Sequence, residues 1–229
     1  MKFERLTRDL FADRQYSRNE LNLFTSDFIG RYTKTPNAVP ISAEMSILET
    51  VYQKFKAGLG ELGTTSAFQK GGTISKQDAY DDALDFIRTK EGTIKGIFKK
   101  GTAAYTEFYP QGLNQYNHAS VEGMKVLLVS FAATADKYKA KLGTAFITEL
   151  TDLQTAYTNA RDEQVGKKSD NSTTQSRLRE SRKELTLQLT KCVLGIAMNT
   201  LENEAAFNSY FNFGLLEVDN DKGTGEEGI

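Results

Sequence analysis

The chain has 229 residues, of which 39% are hydrophobic and 26% charged, with 29 Lys and Arg against 30 Asp and Glu and a net charge of -1. Such a length buries a sizeable core without disulfide or metal staples, and the charge balance excludes bulk electrostatic binding to nucleic acid or an anionic membrane. The single Cys192 excludes an intramolecular disulfide, and the single His118 excludes every metal site that needs two imidazoles.

The first twenty residues, MKFERLTRDLFADRQYSRNE, carry charge throughout and hold no apolar signal-peptide core, so a cytoplasmic location is expected. The longest apolar stretches, Val126 to Phe131 and Cys192 to Met198, are far shorter than the roughly 20 residues of a membrane-spanning helix. Both continue a helical period on either side, which points to buried faces.

Three prolines punctuate the chain: Pro36, Pro40 and Pro110. Before them, Ser17 and Glu20 form a capping box, and Leu21, Phe24, Phe28 and Tyr32 follow at helical spacing, which predicts a helix over 18–33. Residues 35–41 read as a connector, closing an N-terminal region of 1–41. From Met45 the apolar positions Leu48, Tyr52, Phe55, Leu59 and Leu62 alternate spacings of three and four, the seam of a helix packed on near-parallel neighbours. Gly71 and Gly72 predict its end. Ser75 and Asp78 then suggest the cap of a second helix, with Tyr80, Leu84, Ile87, Ile94, Phe98, Tyr105 and Phe108 on its seam. Glu91 interrupts that seam, and Pro110 with Gly112 stops it.

Two stretches recur. Lys54 to Gly60 (KFKAGLG) resembles Lys137 to Gly143 (KYKAKLG) at an offset of 83, and Ala103 to Gly112 (AAYTEFYPQG) resembles Ala205 to Gly214 (AAFNSYFNFG) at an offset of 102. The expectation is an internal duplication of a helical hairpin, repeat one over 42–112 and repeat two over 120–214, within a bundle of 42–218 and ahead of a polar tail of 219–229. The extra residues of the second repeat fall in the polar segment Arg161 to Glu184, where Gly166, Lys167, Lys168, Asp170, Asn171 and Ser172 predict a projecting hairpin turn. The fold class is therefore all-α: duplicated hairpins in an up-down-up-down four-helix bundle with an added N-terminal helix.

The chemistry is sparse. Di-iron bundles need Glu-x-x-His pairs on facing helices, and the chain has none. No phosphate-loop, dinucleotide-binding or nucleophile-elbow motif occurs, so no catalytic, cofactor or metal residue is assigned and no cofactor is expected. Asp78, Asp81, Asp82 and Asp85 share a helix face; in the first turns of a helix they complement its dipole. Cys192, between Leu189 and Ile196, belongs to an apolar face. Aromatic residues gather at two hairpin ends, and with the polar turn they supply the candidate interface: Tyr109, Tyr116, Lys167, Lys168, Asp170, Phe211 and Phe213. The expected function is a non-enzymatic structural or assembly subunit whose partner is itself, without nucleic acid or a membrane span. A pore-forming or membrane-remodelling protein inserting Met124 to Ala135 is the alternative, and a metal- or ligand-binding bundle using the Asp78 to Asp85 face is the next.

Overall fold

The structure is a computed structural model, and it describes residue 11, residues 16–34 and residues 39–216. It is all-helical apart from one short extended segment: α1 (Arg18–Lys34), α2 (Ser42–Phe98), α3 (Ala103–Phe108), the extended segment β1 (Pro110–Leu113), α4 (Asn114–Asn117), α5 (Val121–Lys137), α6 (Lys139–Leu142), α7 (Thr144–Asn199) and α8 (Glu204–Tyr210), followed by a 3-10 turn over Phe213–Leu216. The polar tail of 219–229 and most of the 35–41 connector lie outside the described residues.

Local signals account for the helix starts. The Ser17 hydroxyl accepts from the Glu20 amide at 3.1 Å while the Ser17 amide donates to the Glu20 carboxylate at 2.6 Å, a closed capping box at α1. Ser120 accepts from the Gly123 amide at the start of α5, Thr102 from Tyr105 at α3, and Asn203 from Ala206 at α8.

Two expected turns are not formed. The α2 helix runs straight through Gly71 and Gly72 for 57 residues, and α7 runs through Gly166 to Ser172 for 56. Glycine in a helix interior is unfavourable by about 1 kcal/mol, which neighbouring interactions readily outweigh. At Gly72 the reason is visible: an added Cβ would lie 2.9 Å from Lys167 Cδ and 3.4 Å from Gln164 Cα, so glycine permits a close helix-to-helix approach. Opposite it, Asn171 is buried and receives hydrogen bonds from Thr65 (3.1 Å) and Ser66 (3.2 Å) while donating to Gln69. Residues read as a solvated turn are thus a polar seam. The hairpin tip around Lys167, Lys168 and Asp170 does not exist as a turn, and the up-down-up-down order that depended on it is replaced by two long helices.

The chain divides into two compact units, one comprising Met1–Gly63 with Thr173–Ile229 and the other Thr64–Ser172. In the first unit α1 supplies Leu21, Phe24 and Phe28, α2 supplies Leu48 and Phe55, and α7 supplies Leu185, Leu189 and Ile196 to one core. The α2 and α7 portions pair antiparallel: Gln188 donates to the Glu44 carbonyl at 2.9 Å, Lys54 faces Glu184 at 3.7 Å, and Thr174 donates to Glu61 at 3.3 Å. The second unit has its own core, in which Ile87 and Ile94 of α2 meet Met124, Leu128 and Phe131 of α5, Phe108 of α3, and Leu150 and Tyr157 of α7. Burial of each such side chain is worth about 1.5–3 kcal/mol, which explains why every seam follows a 3.6 period.

The seam residues expected in one shared core are therefore split. Leu48, Phe55, Leu189 and Ile196 belong to the first core, Ile87 and Phe131 to the second, and Tyr138 is only partly buried against the latter. The offset of 83 has no structural counterpart, because Lys54 lies inside α2 whereas Lys137 is the last residue of α5.

Candidate functional site

The second unit holds a cluster of buried tyrosines beside Glu91. Glu91, the residue that interrupts the α2 seam, accepts a 2.6 Å hydrogen bond from the Tyr105 hydroxyl. Beside it Tyr109 donates to the Ile87 carbonyl at 3.1 Å and Tyr116 to the Phe108 carbonyl at 2.6 Å. The rings of Tyr109 and Tyr116 meet edge to face at 5.8 Å, and both meet Phe131. Burial pushes the Tyr105 phenol up to about 12, with the Glu91 carboxylate adding to the effect. Burial likewise raises Tyr116 to about 12 and Tyr109 further. These phenols are neutral donors whose hydroxyls are spent on main-chain carbonyls and one carboxylate.

A groove between α2 and α7 lies on the same unit, lined by Asp82, Asp85, Phe86, Lys90, Glu149 and Asp152. The Lys90 ammonium sits 2.5 Å from the Glu149 carboxylate and over the rings of Phe86 and Phe146, at 5.2 and 5.7 Å from their centroids. The Asp78 to Asp85 face lies in the interior of α2 rather than in a first turn, so the helix dipole does not account for it. Asp81 accepts from Gln77 at 3.1 Å and Asp85 lies 3.6 Å from Arg88. Among the described residues, no three metal-ligating side chains converge. At the end of α5, Lys137 bonds both oxygens of Glu107 at 2.8 and 2.7 Å, which lowers the Glu107 carboxyl and raises the Lys137 ammonium. His118 is exposed at the end of α4.

The first unit holds a second groove lined by Lys54, Glu61, Thr174, Arg177 and Glu184, whose charges face one another: Lys54 with Glu184, and Arg177 with Glu61 at 3.1 Å. Cys192 is fully buried, and burial followed by the Glu44 carboxylate pushes its thiol up to about 12. The folded protein is expected to resist iodoacetamide at pH 8, with stoichiometric alkylation only after denaturation; mass spectrometry reads the difference.

The candidate interface residues scatter. Tyr109 and Tyr116 are core residues of the second unit and Phe211 of the first, stacked on Phe28 at 4.9 Å, so they are not exposed anchors. Phe213 remains partly exposed. Lys167 pairs with Glu163 at 2.5 Å within α7, and Lys168 and Asp170 are exposed on the same helix. The sequence reading did not single out the Lys90–Glu149 pair or the outer face of α5. The run Val126 to Phe131, apolar except for Ser130, was the available signal for the latter. No family model matches the chain, and neither a curated protein nor a solved structure does. Among the described residues, no helix is long and apolar enough to cross a membrane.

Proposed function

We propose that the protein is a non-enzymatic helical assembly subunit that associates with further copies of itself. The observation that carries this reading is the outer face of α5. Met124, Leu128, Phe131 and Ala135 fill the core from one side of this helix, yet Val126 and Val129 on the other side are 69% and 59% exposed. These two valines form an exposed apolar pair one turn apart among the polar residues Glu122, Lys125 and Ser130, and a second chain would supply cover for it. The polar groups favour the same reading, because the tyrosine hydroxyls, the groove cations and the lone thiol are engaged in holding the fold together.

Sedimentation velocity of the purified chain over a range of micromolar concentrations tests the proposal. Mass above that of one chain is expected, and V126E/V129E is expected to return the protein to a monomer without loss of helical content. A monomer at every concentration overturns the reading. The same helix would be the inserting segment of a membrane-active protein, but Met124, Leu128 and Phe131 would then have to leave the core. Release of dye from vesicles by the wild-type chain and not by V126E/V129E, in the absence of self-association, would favour that second reading.

A further inference from the structure

The helix bounds repeat along the chain. The 17 residues of α1 match the 17 of α5, the 57 of α2 match the 56 of α7, and the 6 of α3 match the 7 of α8. An offset of 102 to 103 residues carries each element onto its counterpart, the register of the AAYTEFY and AAFNSYF segments. Buried residues coincide at that offset: Leu21 with Met124, Phe28 with Phe131, Leu48 with Leu150, Phe55 with Tyr157, Ile87 with Leu189, and Ile94 with Ile196.

Contacts coincide as well as positions. In the second unit the Tyr80 hydroxyl donates to the Ala119 carbonyl at 2.7 Å; in the first, Arg182 donates to the Tyr16 carbonyl at 2.5 Å, and both residues have moved by the offset. Phe86 packs on Phe146 at 5.8 Å, and their counterparts Gln188 and Glu44 are joined by a hydrogen bond. Phe131 meets Tyr109 at 5.9 Å, and their counterparts Phe28 and Phe211 stack at 4.9 Å. Amphipathic helices of similar composition share a periodicity, but that alone does not reproduce pairwise contacts across two unrelated registers.

Each compact unit draws on both halves. The first takes α1 and the start of α2 from the first half, and the end of α7 with α8 from the second. The second takes α5 and the start of α7 from the second half, and the end of α2 with α3 from the first. We infer that residues 16–112 and 119–214 are two copies of one helical module that have exchanged the latter parts of their long helices, with 64–72 and 166–174 as the hinges of exchange.

The hinges are equivalent at the same offset and lie in polar-rich stretches of both long helices, TTSAFQKGG and GKKSDNSTT. Residues within them meet through Thr65, Ser66, Gln69 and Asn171 rather than through an apolar seam. In an exchanged fold each long-helix segment packs on its counterpart from the other copy, and a turn at the hinge would let it pack on its own copy with the same register. Because 82 and 184 are counterparts, Lys54 would then face Asp82 in place of Glu184.

The test uses the full chain with Cys192→Ser and two further cysteines. Lys54→Cys with Glu184→Cys reports the exchanged fold, and Lys54→Cys with Asp82→Cys reports the folded-back one; Lys54, Asp82 and Glu184 are all exposed. A short bismaleimide is expected to link 54 to 184 within single chains and to leave 54 and 82 unlinked. Inserting a Gly/Ser loop of about six residues after Lys70 and after Ser172, long enough for a helix–helix turn, is expected to abolish the 54–184 link and create the 54–82 link. Helical content should stay near that of the parent. Retention of the 54–184 link in the loop variant, a 54–184 link formed only between chains in the parent, or loss of cooperative melting on insertion each overturns the inference. None of these readings depends on self-association, since links within a chain are separated from links between chains by mass.

Discussion

Replacing Phe131 with alanine is expected to destabilise the protein by about 3–5 kcal/mol, the range for removing a large aromatic side chain from a packed core. The residue is fully buried and lies at the centre of an aromatic cluster, with ring centroids of Phe108, Tyr109 and Tyr116 at 5.1, 5.9 and 6.1 Å and steep interplanar angles. A cavity there cannot be filled by a single neighbour, because each of those rings has a further anchor. Tyr109 and Tyr116 are held by their hydroxyls, and Phe108 is also in contact with Phe98 and Tyr138. Phe55→Ala in the other core is expected to fall in the same range, whereas Tyr138→Ala should have a smaller effect because that ring is only partly buried. Phe68→Ala, at a position 59% exposed, is the control. Chemical denaturation followed by circular dichroism measures all four, and a wild-type midpoint for Phe131→Ala would mean that the second core is not packed as described.

Alkaline pH is expected to unfold the second unit. Tyr105, Tyr116 and Tyr157 are each raised to about 12 from an ordinary value of 10.0, Tyr109 is raised further, and burial is the leading cause in every case. All four belong to the unit of Thr64–Ser172. A phenol whose folded value is raised contributes stability that is complete below pH 10 and is lost as pH rises toward and through the folded value. Above pH 10 the unfolded chain has released protons that the folded chain still holds, so the equilibrium moves toward unfolding by about 1.4 kcal/mol per pH unit for each of the deeply buried Tyr109 and Tyr116, and by less for Tyr105 and Tyr157, whose hydroxyls are better screened by solvent. Several phenols acting together make the decline steep between pH 10 and 12. Absorbance at 295 nm should therefore show a late, cooperative tyrosine ionisation coincident with loss of helical signal. Tyr109→Phe should ease the decline, since it removes one titrating group while keeping the ring, although the bond to the Ile87 carbonyl is lost. Gradual ionisation of all tyrosines near pH 10 with the helical signal intact would show that these hydroxyls are open to solvent.

The engaged polar groups and the exposed apolar ones carry different information. Tyr157 donates to the Val121 carbonyl and Gln154 to the Leu128 carbonyl, which ties α7 to α5 by side chains that sequence reading would leave on a surface. The outward valines of α5 have no such local use. Assembly is proposed on that contrast between groups the fold consumes and groups it does not.

The sequence by itself determined what depends on interactions a few residues apart. The capping box of Ser17 and Glu20, the extent of α1, the apolar phase of Met45 to Leu62, and the burial of Cys192 are set by helical periodicity and by local hydrogen bonds. Only the tertiary structure decided whether Gly71, Gly72 and the segment Gly166 to Ser172 are turns or helix. Local preferences there amount to about 1 kcal/mol per glycine, a margin that pairing with the opposite helix reverses. The close approach at Gly72 and the bonds that converge on Asn171 come from residues about a hundred positions away. The same long-range pairing moved Tyr109, Tyr116 and Phe211 from expected surface anchors into cores, because an aromatic at a helix end is apolar surface until a particular neighbour covers it. Glu91 shows both sides of the division: its place on an apolar seam is plain in the sequence, and its reason, the Tyr105 hydroxyl, exists only once α3 folds back beside α2.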